Sequence, residues 1–494
     1  SLGEVMVKPT TMLYRNLLAM EVEELLRSHP VDGVVLLAGC DKTTPGTVMG
    51  AVSMGLPTIF CPAGPMLNDR HLRPGEPARQ VGAGTHTRMF WDERQAGRIE
   101  RDEWIGLEAH MTRSPGTCNT MGTASTMTSL VEALGLALPG ATSIPAMDAG
   151  HPRMATSCGE RIVGMIWEDL TPQRIFNRER FLNAAAVLMA LGGSTNAAIH
   201  LIAMARRAGV ALSLADLDHM GRRVPVLANL FPSGTGLMED YHVAGGLPAL
   251  MNRLRDHLTL GEMTVTGQPL GANIEGAQVL DDEVIRPLER PISAGGAIAV
   301  LRGNLAPEGA VIKASAASEH LLRHRGRALV FDSQPELVAA MADAELDVDE
   351  NTVLVLRNAG PVGAPGMPEW GGLPIPKKLL QRGVRDMVRI SDARMSGTHY
   401  GSCVLHVSPE SAVGGPLALV RTGDWIELDV AARRLHLDVS DDELAARRVA
   451  WQPPPERFAR GFSKLYQQHV TQAHEGCDFD FLQGTAPTAE PPIY

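Results

Sequence analysis

The chain has 494 residues, with 56 acidic against 45 basic side chains and a formal net charge of −11. That balance excludes a nucleic-acid partner held by phosphate contacts and leaves no basic face for a membrane surface. Hydrophobics at 44% and charged residues at 20% describe an ordinary globular protein, of two or three domains by length, and aromatics at 4% make its core aliphatic.

Residues 11–28 carry Leu13, Leu17, Leu18, Val22 and Leu25 at helical spacing, which predicts an amphipathic helix. An apolar strand follows at 34–38, then a helix at 45–54 and a second strand at 57–60. Helices are expected at 88–96, 101–111 and 123–138. A helical region at 181–207 is broken by Gly192-Gly193-Ser194-Thr195-Asn196. That break, and His200 within it, argue against a membrane span in this most apolar window. Strand–helix alternation of this kind favours a parallel sheet covered on both faces. After about residue 280 short strands dominate, at 297–300, 328–331, 353–356, 387–391, 403–407, 425–428 and 434–437. Gly/Pro turns separate them, as in a barrel-like β domain. The fold class is therefore α/β. Residues 1–285 are expected to form an α/β domain with a mostly parallel sheet, residues 286–470 a β-barrel-like domain, and residues 471–494 a C-terminal arm. No internal repeat and no signal peptide is visible.

Three loops carry chemistry. Gly39-Cys40-Asp41-Lys42-Thr43-Thr44-Pro45-Gly46 sets a soft ligand, a hard ligand and a lysine side by side after a buried strand. In open α/β sheets sites collect at the carboxyl ends of such strands. A thiolate there suits iron and a carboxylate suits Mg²⁺. Gly116-Thr117-Cys118-Asn119-Thr120-Met121-Gly122 places a second Cys ahead of a long helix, where a depressed thiol pKa is expected. Ser391-Asp392-Ala393-Arg394-Met395-Ser396-Gly397-Thr398 is a polar turn between two strands that presents Ser396. Six cysteines in a chain of this length are not a disulfide framework, so a reducing cytoplasm is expected. Cys61, Cys158, Cys403 and Cys477 read as bystanders, with Cys403 inside a strand. Asp392 and Arg394 are expected to form a structural ion pair.

These motifs, with Leu301-Arg302-Gly303-Asn304-Leu305-Ala306-Pro307 and Gly414-Gly415-Pro416, resemble the dihydroxy-acid dehydratase and 6-phosphogluconate dehydratase superfamily. The closest likeness is to its sugar-acid branch, which acts on pentonates and hexonates, and it runs in order along nearly the whole chain. The resemblance implies a hydro-lyase that converts an aldonate to its 2-keto-3-deoxy acid with a 2Fe–2S cluster and Mg²⁺. It makes Cys40 and Cys118 cluster ligands and Glu4, Asp41 and Glu369 Mg²⁺ carboxylates. Lys42 matches a carbamylated lysine, and Ser396 the catalytic base. His86, Ser194, Thr195, Thr398 and His399 are candidate substrate contacts, although Ser194 and Thr195 serve equally well as helix caps. A homodimer or homotetramer acting on a small sugar acid is expected.

The chain opens Ser-Leu-Gly-Glu, without Met, and the family's first cluster cysteine would lie upstream of Ser1. The natural chain is therefore expected to be longer. Two alternatives stand beside the sugar-acid reading. One is dihydroxy-acid dehydratase of branched-chain amino-acid synthesis, which usually has Gly-Gly after the catalytic serine where this chain has Gly397-Thr398-His399. The other is a cluster-free paralogue retained as a scaffold. A phosphorylated substrate would need an extra basic pocket, and no basic motif in the sequence marks one.

Overall fold

The computed structural model describes residues 11–71, 79–482 and 484, so Glu4 lies outside the described residues. Helix α1 spans Thr11–Ser28, strand β1 Val34–Ala38, helix α2 Thr43–Met54 and strand β2 Thr58–Pro62. β1 and β2 pair in parallel in register, Val34 opposite Thr58 and Ala38 opposite Pro62. The sheet is parallel, as the alternation suggests, and among the described residues it has two strands. Most of the remaining N-terminal segments are helices stacked on one another.

The buried side of α1 also differs from expectation. Met12, Arg15, Asn16 and Ala19 face inward with Leu13, whereas Leu17 and Leu25 are exposed. The reason is polar. Arg15 and Asn16 donate to the carbonyls of Gly476 and Cys477, a segment 460 residues downstream that no local periodicity can anticipate. α2 packs against α1 at close range because Gly50 has no side chain. A Cβ there would stand 2.5 Å from the Ala19 carbonyl oxygen.

After a short antiparallel ribbon, β3 (Asp69–His71) with β4 (Arg79–Val81), come helices α3 (Thr85–Gln95), α4 (Arg101–Met111) and α5 (Thr123–Ala133). α6 (Gly150–Trp167) covers β2. The apolar window resolves into α7 (Arg178–Ala190) and α8 (Asn196–Arg207), both almost wholly buried in the main core. Among the described residues no helix is long and apolar enough to cross a membrane.

The C-terminal region closes into an eight-stranded barrel. Its strands are β5 (Ala299–Gly303), β6 (Ala306–Ile312), β7 (Arg323–Phe331), β8 (Val353–Leu356), β9 (Arg389–Ser391), β10 (Cys403–Ser408), β11 (Trp425–Asp429) and β12 (Arg434–Asp438). The order around the barrel is β10-β6-β5-β12-β11-β7-β8-β9, and β9 returns to β10 in parallel. β6 has no counterpart in the sequence reading, since Pro307 and Gly309 interrupt its alternation. The barrel fills with aliphatic side chains such as Leu301, Ile312, Val355, Val404 and Leu435.

Candidate active site

Four loops from distant parts of the chain meet where the helical layer abuts the barrel. The first joins β1 to α2. The Cys40 backbone N–H donates to Thr43 Oγ1 at 3.1 Å, which tightens the turn and sets Lys42 at the helix start. Cys40 Sγ lies 3.2 Å from Asp41 Oδ1, and the buried Lys42 Nζ lies 2.6 Å from Asp41 Oδ2. Lys42 also reaches Glu369 Oε1, from the loop after β8, at 3.5 Å. Asn196 Nδ2 donates to that same oxygen at 2.8 Å, and Arg394 Nη1 at 3.2 Å. Asp41, Lys42 and Glu369, some 330 residues apart in sequence, are therefore one group.

Arg394 is thus not the partner of Asp392, contrary to expectation. Its Nε donates to the Met367 carbonyl at 2.7 Å, which pins the loop that carries Glu369. Asp392 instead accepts from the Ala359 and Ser411 N–H groups and from the Ser411 hydroxyl. The Arg394 side chain extends away from that loop toward Thr11, so the sequence neighbours serve different loops.

Cys118 comes from the loop before α5. Its thiol is pushed up to about 11, first by burial and then by Cys40 and Asp41, which shows the two cysteines to be electrostatic neighbours. The depressed pKa expected from a helix N-terminus is absent. The helix begins at Thr123 behind Gly122, five residues on, beyond the reach of its dipole. The Cys40 thiol is raised likewise, by burial and then by Asp41. The other cysteines are all free and stand apart from this pair. Cys61 and Cys158 flank Met154, Cys403 begins β10, and Cys477 packs on Met367.

Ser396 sits in the loop from β9 to β10. Its Oγ lies 2.9 Å from Thr398 Oγ1, and the Thr398 carbonyl accepts from Thr85 Oγ1 at 2.7 Å. The turn is pressed against the helical layer at Gly397, where a Cβ would stand 2.6 Å from both Ser194 Oγ and the Thr123 backbone nitrogen. Ser194 Oγ in turn pairs with Thr123 Oγ1 at 2.8 Å and accepts from Asn196 N–H. Ser194 thus both opens α8 and braces the serine turn. Thr195 Oγ1 is buried with no hydrogen-bond partner among the described residues. His399 packs half-buried against Gly372, and desolvation, then Arg88 and Arg389, hold its imidazole neutral. His86 is turned into the protein. It accepts from the Gly82 N–H at 3.1 Å, packs edge-on to Phe231, and is lowered to about 4 by burial.

A cavity of about 430 Å³ reaches this region at Glu369 and His399 and is lined by Arg88, Asp92, Trp370 and Tyr400 among others. A second cavity, of about 560 Å³, is lined by residues such as Asn68, Arg70 and Glu239 and contains none of the candidate site residues. Of the substrate contacts expected from sequence, His399 lines the first cavity and His86 does not. Sequence reading missed Arg88 on its wall and Asn196 as the residue that orients Glu369. Asn196 belongs to the quoted Gly-Gly-Ser-Thr-Asn motif and was findable. Arg88 lies in no motif.

Among the described residues no three His, Cys, Asp or Glu side chains form a ready-made cation cage. The donors separate instead into a soft thiol pair, Cys40 and Cys118, and a hard carboxylate pair, Asp41 and Glu369, with Lys42 between the carboxylates. Residues 2–273 match the N-terminal and residues 283–477 the C-terminal domain of dihydroxy-acid/6-phosphogluconate dehydratases. The chain is 61% identical to the 6-deoxy-6-sulfo-D-gluconate dehydratase of Pseudomonas putida, over 100% of this chain and 85% of that protein. It is 52% identical to the L-arabinonate dehydratase of Rhizobium leguminosarum bv. trifolii, over 98% and 83%. Against the dihydroxy-acid dehydratase of Caldanaerobacter subterraneus subsp. tengcongensis identity falls to 39%, over 94% and 82%. A chain matched end to end in this way belongs to the dihydroxy-acid/6-phosphogluconate dehydratase family.

Proposed function

We propose that this chain is a sugar-acid dehydratase, a hydro-lyase that removes water across C2 and C3 of an aldonate to yield the 2-keto-3-deoxy acid. The observation that carries this reading is the grouping of Cys40, Asp41, Lys42 and Glu369, linked through Asn196, Thr123 and Ser194 to the Ser396 turn, beside a cavity that Glu369 lines, in a chain whose sugar-acid relatives are 50–61% identical. The donor set fits the expected groups. The thiols of Cys40 and Cys118 would hold an iron–sulfur cluster, and Asp41 and Glu369, with Lys42 as its carbamate and Glu4, would hold Mg²⁺. Bound there, the two would supply Lewis-acid stabilisation of charge at the substrate carboxylate and at the departing 3-hydroxyl.

The chain's own residues do the rest. Ser396 Oγ, deprotonated to its alkoxide, takes the C2 proton, and Thr398 Oγ1, 2.9 Å away, orients and hydrogen-bonds that oxygen. Asn196 and Arg394 fix the free rotation of the Glu369 carboxylate. On the cavity wall the neutral His399 offers a hydrogen bond to the polyol tail, and the Tyr400 oxygen, whose proton goes to Asp92, can accept one. The hydroxide that leaves C3 and the proton on Ser396 recombine as water, and the enol tautomerises to the keto acid.

A branched alkyl tail would leave a wall group such as the His399 imidazole without a partner, at about 1–3 kcal/mol. Dihydroxyisovalerate is therefore the poorer substrate. The test is formation of 2-keto acid from arabinonate, gluconate, 6-deoxy-6-sulfogluconate and dihydroxyisovalerate. Highest kcat/KM on dihydroxyisovalerate would reject the sugar-acid assignment. The domain boundary near residue 285, an assembly of two or four copies, and a reducing cytoplasmic setting belong to the same reading. All six cysteines being free supports the last of these.

A further inference from the structure

Three guanidinium groups line the cavity that opens onto Glu369, those of Arg88, Arg385 and Arg389. Two are neutralised within the protein. Arg385 pairs with Glu93 at 2.9 Å, and Arg389 with Asp386 at 2.8 Å. Arg88 is different. Its Nε reaches Thr398 Oγ1 at 3.5 Å, and no carboxylate among the described residues stands within ion-pair distance of it. Asp92, one turn further along α3, is the obvious partner, but its Oδ2 accepts from the Tyr400 hydroxyl at 2.5 Å instead. Burial pulls the Arg88 guanidinium below its ordinary value, against the opposing fields of Glu369, Cys118, Asp92 and Tyr400. Arg88 is half-buried on the cavity wall, so its unpaired guanidinium is open to the cavity, and that is where a counter-ion can enter.

The sugar acid's own carboxylate is already accounted for at the Asp41–Lys42–Glu369 group, on the function proposed above. Arg88, Trp91 and Asp92 share one face of α3 and form a wall that leads from Thr398 to Trp104, whose ring meets Trp91 edge-on at 5.4 Å. That wall is available to the far end of the chain of carbons. We propose that Arg88 clamps a second oxyanion, a sulfonate or phosphate on the terminal carbon of the sugar acid, so that the preferred substrate is doubly anionic. The planar fork of a guanidinium matches two oxygens of such a group. The proposal rests on the sugar-acid dehydratase reading and supplies the basic pocket that no sequence motif marked.

The test uses the full-length holoenzyme and its Arg88→Gln and Arg88→Lys variants with gluconate, 6-phosphogluconate and 6-deoxy-6-sulfogluconate, following 2-keto acid. Wild-type protein is expected to prefer one or both terminal-oxyanion substrates to gluconate by kcat/KM. Which of the two it takes distinguishes sulfonate from phosphate. Arg88→Gln is expected to lose about 10²-fold more on the terminal-oxyanion substrates than on gluconate, mainly in KM, as for a hydrogen bond to a charged group. Arg88→Lys recovers part of that difference. Gluconate turnover reports that each variant folds. Equal losses on all three acids would overturn the proposal, because Arg88 would then hold the shared carboxylate. So would a wild-type preference for gluconate. Absence of turnover on every sugar acid, with dihydroxyisovalerate consumed, is a distinct result that removes the dehydratase assignment beneath it.

Discussion

Lys42 has almost no solvent contact, and its amine lies between two carboxylates, 2.6 Å from Asp41 and 3.5 Å from Glu369. As an ammonium it would compete with a divalent cation for both. As a carbamate it would join them as an oxygen ligand. The two forms give opposite signs on removal. Under the proposed function Lys42→Ala loses bound Mg²⁺ and turnover together, measured as metal content and rate on the same preparation. Tighter Mg²⁺ binding in the variant would show that the lysine acts as a cation. Ser396 makes a cleaner separation. Among the described residues its hydroxyl bonds to Thr398 and to no candidate ligand, so Ser396→Ala is expected to keep its metal content and lose about 10²–10⁴-fold in kcat, with C2 proton exchange lost in parallel. Exchange at the wild-type rate would place the base elsewhere.

At the scale of elements, the site depends on two interruptions of regular structure. The break between α7 and α8 turns Ser194 and Asn196 toward Thr123 and Glu369, and the loop from β9 to β10 lays Gly397 against them. An alanine at 397 places its Cβ 2.6 Å from the Thr123 backbone nitrogen, which belongs to the start of a buried helix and cannot retreat. The serine turn must move instead. Gly397→Ala is expected to lower kcat about 10²-fold, the cost of roughly an ångström of misplacement, with the helical and barrel cores intact by circular dichroism. Unchanged kcat would show that the turn has slack that the contacts do not suggest.

At the scale of the whole molecule, two buried carboxylates make stability depend on pH. Glu132 in α5 accepts from the Gly140 and Thr142 N–H groups and the Thr142 hydroxyl, yet burial raises it to about 7. Glu410 is raised to about 7 by burial and then by Asp392. In the unfolded chain each titrates near 4.3. Between those values the native state binds more protons than the unfolded state, so stability falls as pH rises through about 4.5 to 7, and the penalty is complete above 7. For Glu132 it amounts to on the order of 3 kcal/mol at pH 8. Glu132→Gln is therefore expected to flatten part of the decline in urea midpoint between pH 5 and pH 8. An unchanged slope would mean that its three donors keep the carboxylate ionised throughout.

Much of this was legible in the residues alone. α1, α4, β1 and β8 fall at the predicted bounds, because their apolar spacing and flanking turns are local properties. The Cys40-Asp41-Lys42 and Ser396 loops are recognisable because their chemistry is written in adjacent letters. What the letters do not contain is which partner each charge finds. Arg394 reads as the mate of Asp392 and serves Glu369 instead, the buried side of α1 is chosen by a segment at 476–477, and Cys118 is raised rather than lowered by its surroundings. β6 hides its strand character behind Pro307 and Gly309 and is held by pairing on both sides. Arg88 is an ordinary helical arginine in the sequence. Only the tertiary structure withholds a counter-ion from it, because electrostatic satisfaction is set by neighbours in space and not by neighbours in the chain.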